Sequence, residues 1–210
     1  MGNVRSSHRE SNSLHLASAR ERIDRTVYEL FSRHGVRAVG VDTIAARAGV
    51  AKMTLYKNYR SKDELALAFL RARGELWTRG WLEREVECHG GTPGDKLLAV
   101  FDLFDRWFRR ADFEACAFAR VLLEHDERGH PVRRAAVRNL GNVRSFIKGL
   151  AGDAGVSDPE GFARQWQILM IGSIVAAYAG DLSAARRAKA VGLRLLAGET
   201  ASKSRSGRRR

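Results

Sequence analysis

Lys52, Thr54, Lys57 and Asn58 are side chains that donate hydrogen bonds to phosphate oxygens or reach base edges, and no carboxylate stands among them in the sequence. Their natural partner is an anion. The other tight clusters of titratable groups are Glu124-His125-Asp126 and Cys88-His89. Neither has metal-ligand spacing or a glycine-rich phosphate loop beside it, and residues at exposed helix ends account for both. The chain holds 2 cysteines without CxxC spacing, so reduced structural thiols are expected, with no metal and no cofactor.

The elements that would present the four donors can be read from spacing. Val41, Ile44, Ala45 and Ala48 recur at helical intervals, Gly49 breaks the pattern, and a second short helix runs from about Lys52 to Asn58. Val50, Leu55 and Tyr59 would face the first of these helices and hold the angle. Two short helices joined by a tight turn with glycine are a helix-turn-helix, whose second helix can enter the major groove. A preceding helix, Ala19 to His34, offers Ile23, Val27, Leu30 and Phe31 as a covering stripe, with Gly35 after its end.

The run GVAKMTLYKNYRSKDEL, preceded by VDTIAARA, closely resembles the signature of the tetracycline-repressor (TetR-type) family of bacterial transcription regulators. The matching positions are Gly49, Val50, Thr54, Leu55, Tyr56, Tyr59, Ser61, Lys62 and Leu65. A short Lys/Tyr-rich helix alone is an ordinary solvated surface; the matched register decides for a DNA reader. The resemblance implies that Lys52, Met53, Thr54, Lys57 and Asn58 line the base-reading face. It further implies that Tyr56 and Lys62, joined by Thr43, hold the phosphate backbone. Two positions depart from the pattern: Ala51 and Gly40 stand where Ser or Thr usually caps a helix, so the recognition helix is expected to fray at its start until DNA supplies partners. Met53 replaces a frequent Gly or Pro and offers an apolar contact, such as to a thymine methyl.

Charge supports this placement. Residues 1–62 carry 12 Lys/Arg against 5 Asp/Glu, residues 63–198 carry 20 against 18, and residues 199–210 carry 5 against 1. The basicity lies in the DNA-binding part and the tail, as an electrostatic footprint requires. Only 3 prolines and long stretches of helical period predict an all-α chain. It divides into a flexible N-terminal arm (1–18), a three-helix helix-turn-helix domain (19–62), a helical effector-binding and dimerisation domain (63–198) and a flexible basic tail (199–210). No apolar run reaches the ~18 residues a membrane helix needs, and the N-terminus is polar, so a cytoplasmic protein without a membrane partner is expected.

Ser61 with Glu64 predicts a capping box opening a long helix that carries Leu65, Ala68, Phe69, Ala72 and Leu76 on one face and joins the two domains as a lever. Phe113 to about Glu124 reads as a short apolar helix. The stretches from Asp158 to Ala179 and from Leu182 to Ala197 are apolar on more than one side, which predicts a homodimer through the last two helices. Such a dimer would place its recognition helices ~34–36 Å apart on a palindromic operator.

Aromatic side chains at Trp77, Phe101, Phe104, Trp107, Phe118 and Trp166, with Met170, exceed what a helical core usually needs. They predict an apolar effector cavity, with Ser173, Gln165 or Tyr178 orienting a small ligand. The function expected is a ligand-responsive repressor. The alternatives are a constitutive DNA-binding regulator, if the aromatic residues simply interdigitate, and a helical enzyme.

Overall fold

The computed structural model describes residues 17–206, and these form helices without strands. Residues 1–16 of the expected arm and 207–210 of the expected tail lie outside the described residues.

Helix α1 (Ala19–His34) opens with a capping box, in which Ser18 accepts from the Glu21 N–H and the Glu21 carboxylate accepts from the Ser18 N–H. It ends at Gly35, whose φ of +82° only glycine adopts without strain. Helices α2 (Val41–Ala48) and α3 (Lys52–Asn58) follow, then α4 (Lys62–Arg73). Ser61 caps α4 by accepting from the Glu64 N–H, but the predicted box does not close on itself. The Glu64 carboxylate instead accepts from the backbone N–H of Arg60 at 2.7 Å.

From α4 the chain runs on, still helical, through a π-helical stretch (Gly74–Glu83) into α5 (Arg84–Cys88). This unbroken rod corrects one expectation. Leu76 was expected on the buried face, yet it is 60% exposed, because each wider π turn rotates the residues that follow. Thr78, Leu82 and Val86 are buried instead.

Gly90 and Gly91 turn the chain, and the Thr92/Asp95 capping box with Pro93 starts α6 (Pro93–Phe108). Helix α7 (Ala117–Glu124) begins later than expected from Phe113, because Cys116 is extended and stands as its N-cap. Then come α8 (Pro131–Asp153), α9 (Pro159–Tyr178) and α10 (Ala184–Ser206), the last continuing past residue 198, where the tail was expected to begin.

The side chains gather into two cores. The first joins α1 to α4 and also takes Phe118 and Val121 from α7 and Val132 and Ala136 from α8. The second joins Leu82 and Val86 of the rod to α6, α8, α9 and α10 around Phe101, Phe104 and Trp166. Hence the packing boundary does not fall at residue 62. Phe118, expected at an effector cavity, is 2% exposed in the first core, where burying such a ring contributes about 1.5–3 kcal/mol. Among the described residues no helix is long and apolar enough to cross a membrane.

Candidate nucleic-acid interface

The turn between α2 and α3 is fixed by Gly49 at φ +63°, whose N–H donates to Ala45 and Ala46 carbonyls, while Val50 N–H donates to the Ala45 carbonyl at 3.1 Å. Leu55 (0% exposed) and Tyr59 (4%) hold α3 against the core, with Val50 packed beside them. The Tyr59 hydroxyl donates to Asp24, and the Arg20 guanidinium lies 4.8 Å above the Tyr59 ring. Burial, then this hydrogen bond, pushes the Tyr59 phenol up to about 12. A further brace has no signature in the sequence: Arg22 on α1 donates to the Ala48 carbonyl at 3.1 Å and to the Ala17 carbonyl at 2.7 Å, closing the end of α2 onto α1.

Helix α3 starts at Ala51 without a side-chain cap, and α2 at Gly40 likewise. With Leu55 inward, Lys52, Met53, Tyr56 and Lys57 are exposed and Thr54 and Asn58 half-buried, so the six positions surround one outward face. Met53 is 69% exposed, a large apolar side chain presented to solvent at the start of the helix. The Lys57 side chain makes no hydrogen bond or ion pair among the described residues. Thr43 on α2 is exposed as well.

Three of the donors already have protein partners. Lys52 Nζ lies 2.7 Å from the Asp42 carboxylate of α2, and the hydrogen bond and charge of Asp42 raise the lysine's pKa. Helix α3 has no carboxylate of its own, but the fold brings one against it from α2. Asn58 Nδ2 donates to the Thr54 carbonyl at 2.8 Å, and Lys62 Nζ donates to the Arg37 carbonyl at 3.2 Å.

Residues 26–69 match the family described as bacterial regulatory proteins, tetR family. A crystal structure of a TetR-family transcriptional regulator from Streptomyces coelicolor superposes with a TM-score of 0.79 at 25% identity, covering 86% of this chain and 95% of that one. This chain is a TetR-type regulator. The tetR-family assignment makes it a DNA-binding transcriptional regulator, and α2 and α3 are its helix-turn-helix. Over 43 residues, 20% of each chain, it is 51% identical to the HTH-type transcriptional activator FasR of Mycolicibacterium smegmatis. Over 149 residues, 70% of this chain and 76% of the relative, it is 21% identical to the HTH-type transcriptional regulator YjdC of Escherichia coli.

The residues expected at an effector cavity of this TetR-type chain separate into three places. Phe101, Phe104, Trp166 and Met170 are buried in the second core, with the Phe101 ring tilted against Trp166 at 5.2 Å and edge-on to Phe104 at 6.4 Å. A Cβ on Gly192 would lie 2.7 Å from Trp166 Cη2, so the indole rests on α10 backbone and fills the space expected to be a cavity. Phe118 belongs to the first core. Trp77 and Trp107, 5.4 Å apart, do face a pocket of about 330 Å³ with Trp81, Arg73 and Glu114 at its walls. The Ser173 hydroxyl donates to the Met170 carbonyl, Gln165 is exposed, and Tyr178 is exposed beside Arg120. A larger groove, about 970 Å³, runs between the π-helical stretch and α8, and spacing in the sequence did not single it out.

The titratable clusters are also placed. Glu124 accepts from the backbone N–H of Val36 and Arg37, His125 Nδ1 lies 2.8 Å from the Val121 carbonyl, and Cys88 and His89 are exposed at the end of α5. Burial pushes the Cys116 thiol up, away from the reactive thiolate.

Proposed function

We propose that this chain is a cytoplasmic, homodimeric repressor that binds a palindromic operator through Lys52, Met53, Thr54, Lys57 and Asn58, steadied by Thr43, Tyr56 and Lys62, and leaves it when a small molecule binds. The observation that carries this reading is the unbroken rod from Lys62 to Cys88. Its first part packs Leu65, Phe69 and Leu70 into the DNA-reading core, and its last part packs Leu82 and Val86 into the second core. A ligand that shifts the rod's far end moves the reading helix, and a differential affinity of ~1–3 kcal/mol suffices for the switch.

The dimer is supported by an uncovered apolar face on the last two helices. Ile168, Val175 and Tyr178 on α9 and Val191 and Leu193 on α10 are 40–70% exposed, and Gly172 has open space above it. Such a face is the kind that two copies cover. The closed aromatic core favours a groove against the rod over the interior as the seat of such a ligand. That same closed core is the observation favouring the second reading, a regulator without an effector. The M. smegmatis relative is a transcriptional activator, and activation is the alternative output.

Selection of binding sites from random duplexes with the full chain should converge on an inverted repeat with half-sites about one helical turn apart. Recovery of a single asymmetric half-site would rule out the dimeric reading. An operator complex that no small organic molecule dissociates would establish the constitutive one.

A further inference from the structure

Arg71, Glu75, Arg79 and Glu83 line the 970 Å³ groove from the rod, each four residues after the last. In an α-helix that spacing sets each cation beside the next carboxylate. None of the four is in an ion pair among the described residues, whereas Arg109 with Asp105 and Arg164 with Glu160 pair at the same spacing on ordinary helices. The register is the cause. From Gly74 the turns widen, and residues four apart rotate off one another.

Helix α8 forms the opposite wall. Its Arg138 likewise meets no carboxylate, while Arg144 is held by Glu160 at 3.4 Å. Arg71, Arg79 and Arg138 therefore reach one groove as cations with no counter-ion among the described residues, against two glutamates. Leu67, Leu70, Ala135 and Phe146 give the same groove an apolar lining.

Thr78 is an independent observation. It is 3% exposed, lines this groove, and its Oγ1 has no hydrogen-bond partner. A threonine in an α-helix can return its hydroxyl to the carbonyl four residues back. In the π stretch that bond is not made, and a bound acceptor would relieve the cost of the orphaned group.

We propose that the groove is a binding site for an amphipathic organic anion, with a carboxylate or phosphate head taken by the unpaired arginines and the Thr78 hydroxyl, and an apolar body over Leu67, Leu70 and Phe146. Arginine suits such heads because its planar fork donates two parallel hydrogen bonds. The groove stands on its own geometry; only its consequence for DNA rests on the ligand-responsive reading.

The test is a titration of the full chain with octyl phosphate, octanoate, octylammonium and 1-octanol, followed by tryptophan emission, since Trp77 and Trp81 flank Thr78 on the rod. Either anion should saturate at one equivalent per protomer, more weakly as salt rises, and the stronger of the two identifies the head group. Arg79→Ala combined with Arg138→Ala should weaken binding about tenfold or more, and Thr78→Val should weaken it severalfold, with unchanged circular dichroism. Octylammonium or octanol binding as tightly as the anions, absence of saturation, or indifference to the arginine pair would overturn the site. Operator affinity measured on the same samples separates the two readings. Anion binding in the groove without operator release defeats ligand-responsive control and leaves the site standing. Release that ignores the arginine pair does the reverse.

Discussion

The Glu124 carboxylate at the end of α7 accepts a hydrogen bond from the backbone N–H of Val36 at 2.9 Å, and the same oxygen accepts from Arg37 at 3.1 Å. One turn earlier on α7, Arg120 donates to the Ser32 and Arg33 carbonyls at 3.1 and 2.9 Å, so the two side chains satisfy both sides of the α1 terminus. Gly35 must be small for this contact, since a Cβ there would lie 2.0 Å from Glu124 Oε1. Helix α7 is thus fastened to the DNA-reading domain, although 80-odd residues of chain separate them.

Glu124→Ala should cost about 1–3 kcal/mol, mainly because the part-buried Val36 N–H loses its acceptor, the Arg37 N–H being exposed, while Glu124→Gln should cost less. Urea denaturation measures the loss, and hydrogen exchange should quicken at Val36 and Arg37. Unchanged protection at those two amides would mean the contact does not hold the loop.

The Lys52–Asp42 pair predicts an acid that opposes DNA. Asp42→Asn should free Lys52 for phosphate, tighten binding to all duplexes, and steepen the salt dependence by about one unit. Lys57→Ala, by contrast, should weaken the selected operator more than random DNA. Lys62→Ala should weaken all sequences to a similar degree and lower the salt slope by about 1. Polarisation titrations across a salt series give all three numbers.

For the dimer face, Val175 is a cleaner probe than Ala176, because Ala176 is half-buried against its own core and Val175 is 58% exposed. Val175→Glu should yield folded monomers with weakened operator affinity, seen by sedimentation and circular dichroism. A variant that still sediments as a dimer would place the interface elsewhere.

Tyr59 provides a pH dependence. Its phenol titrates near 12 in the fold against an ordinary 10.0, first through burial and then through the bond to Asp24. The neutral phenol therefore contributes its full stability below pH 10 and loses it as pH rises through 12. Tyr59→Phe should be less stable by about 1 kcal/mol at pH 7, with the gap to the parent closing between pH 10 and 12. Chemical denaturation at pH 7, 9, 10.5 and 11.5 checks the sign; a gap that widens instead would refute it.

The sequence by itself determined whatever depends on neighbours a few residues away. Helical spacing set the bounds of α1 and α2, and Gly35 and Gly49 marked their ends, because helix termini are closed by local hydrogen bonds. The register GVAKMTLYKNY placed Leu55 and Tyr59 inward and Lys57 outward, since a short helix has one buried side. Tertiary structure decided the rest. The π turns, which no residue pattern announced, turned Leu76 outward and separated the charges of Arg71, Glu75, Arg79 and Glu83, whose spacing alone predicts self-pairing. The abundance of aromatic rings was visible, but whether they enclose space depends on how closely α10 approaches, and Gly192 lets it come near enough for Trp166 to fill the gap. Phe118 went to the DNA-reading core, and Asp42 came to rest on Lys52, because the partner of a side chain is set by which helices lie against each other. That is a property of the packed chain and not of the spacing along it.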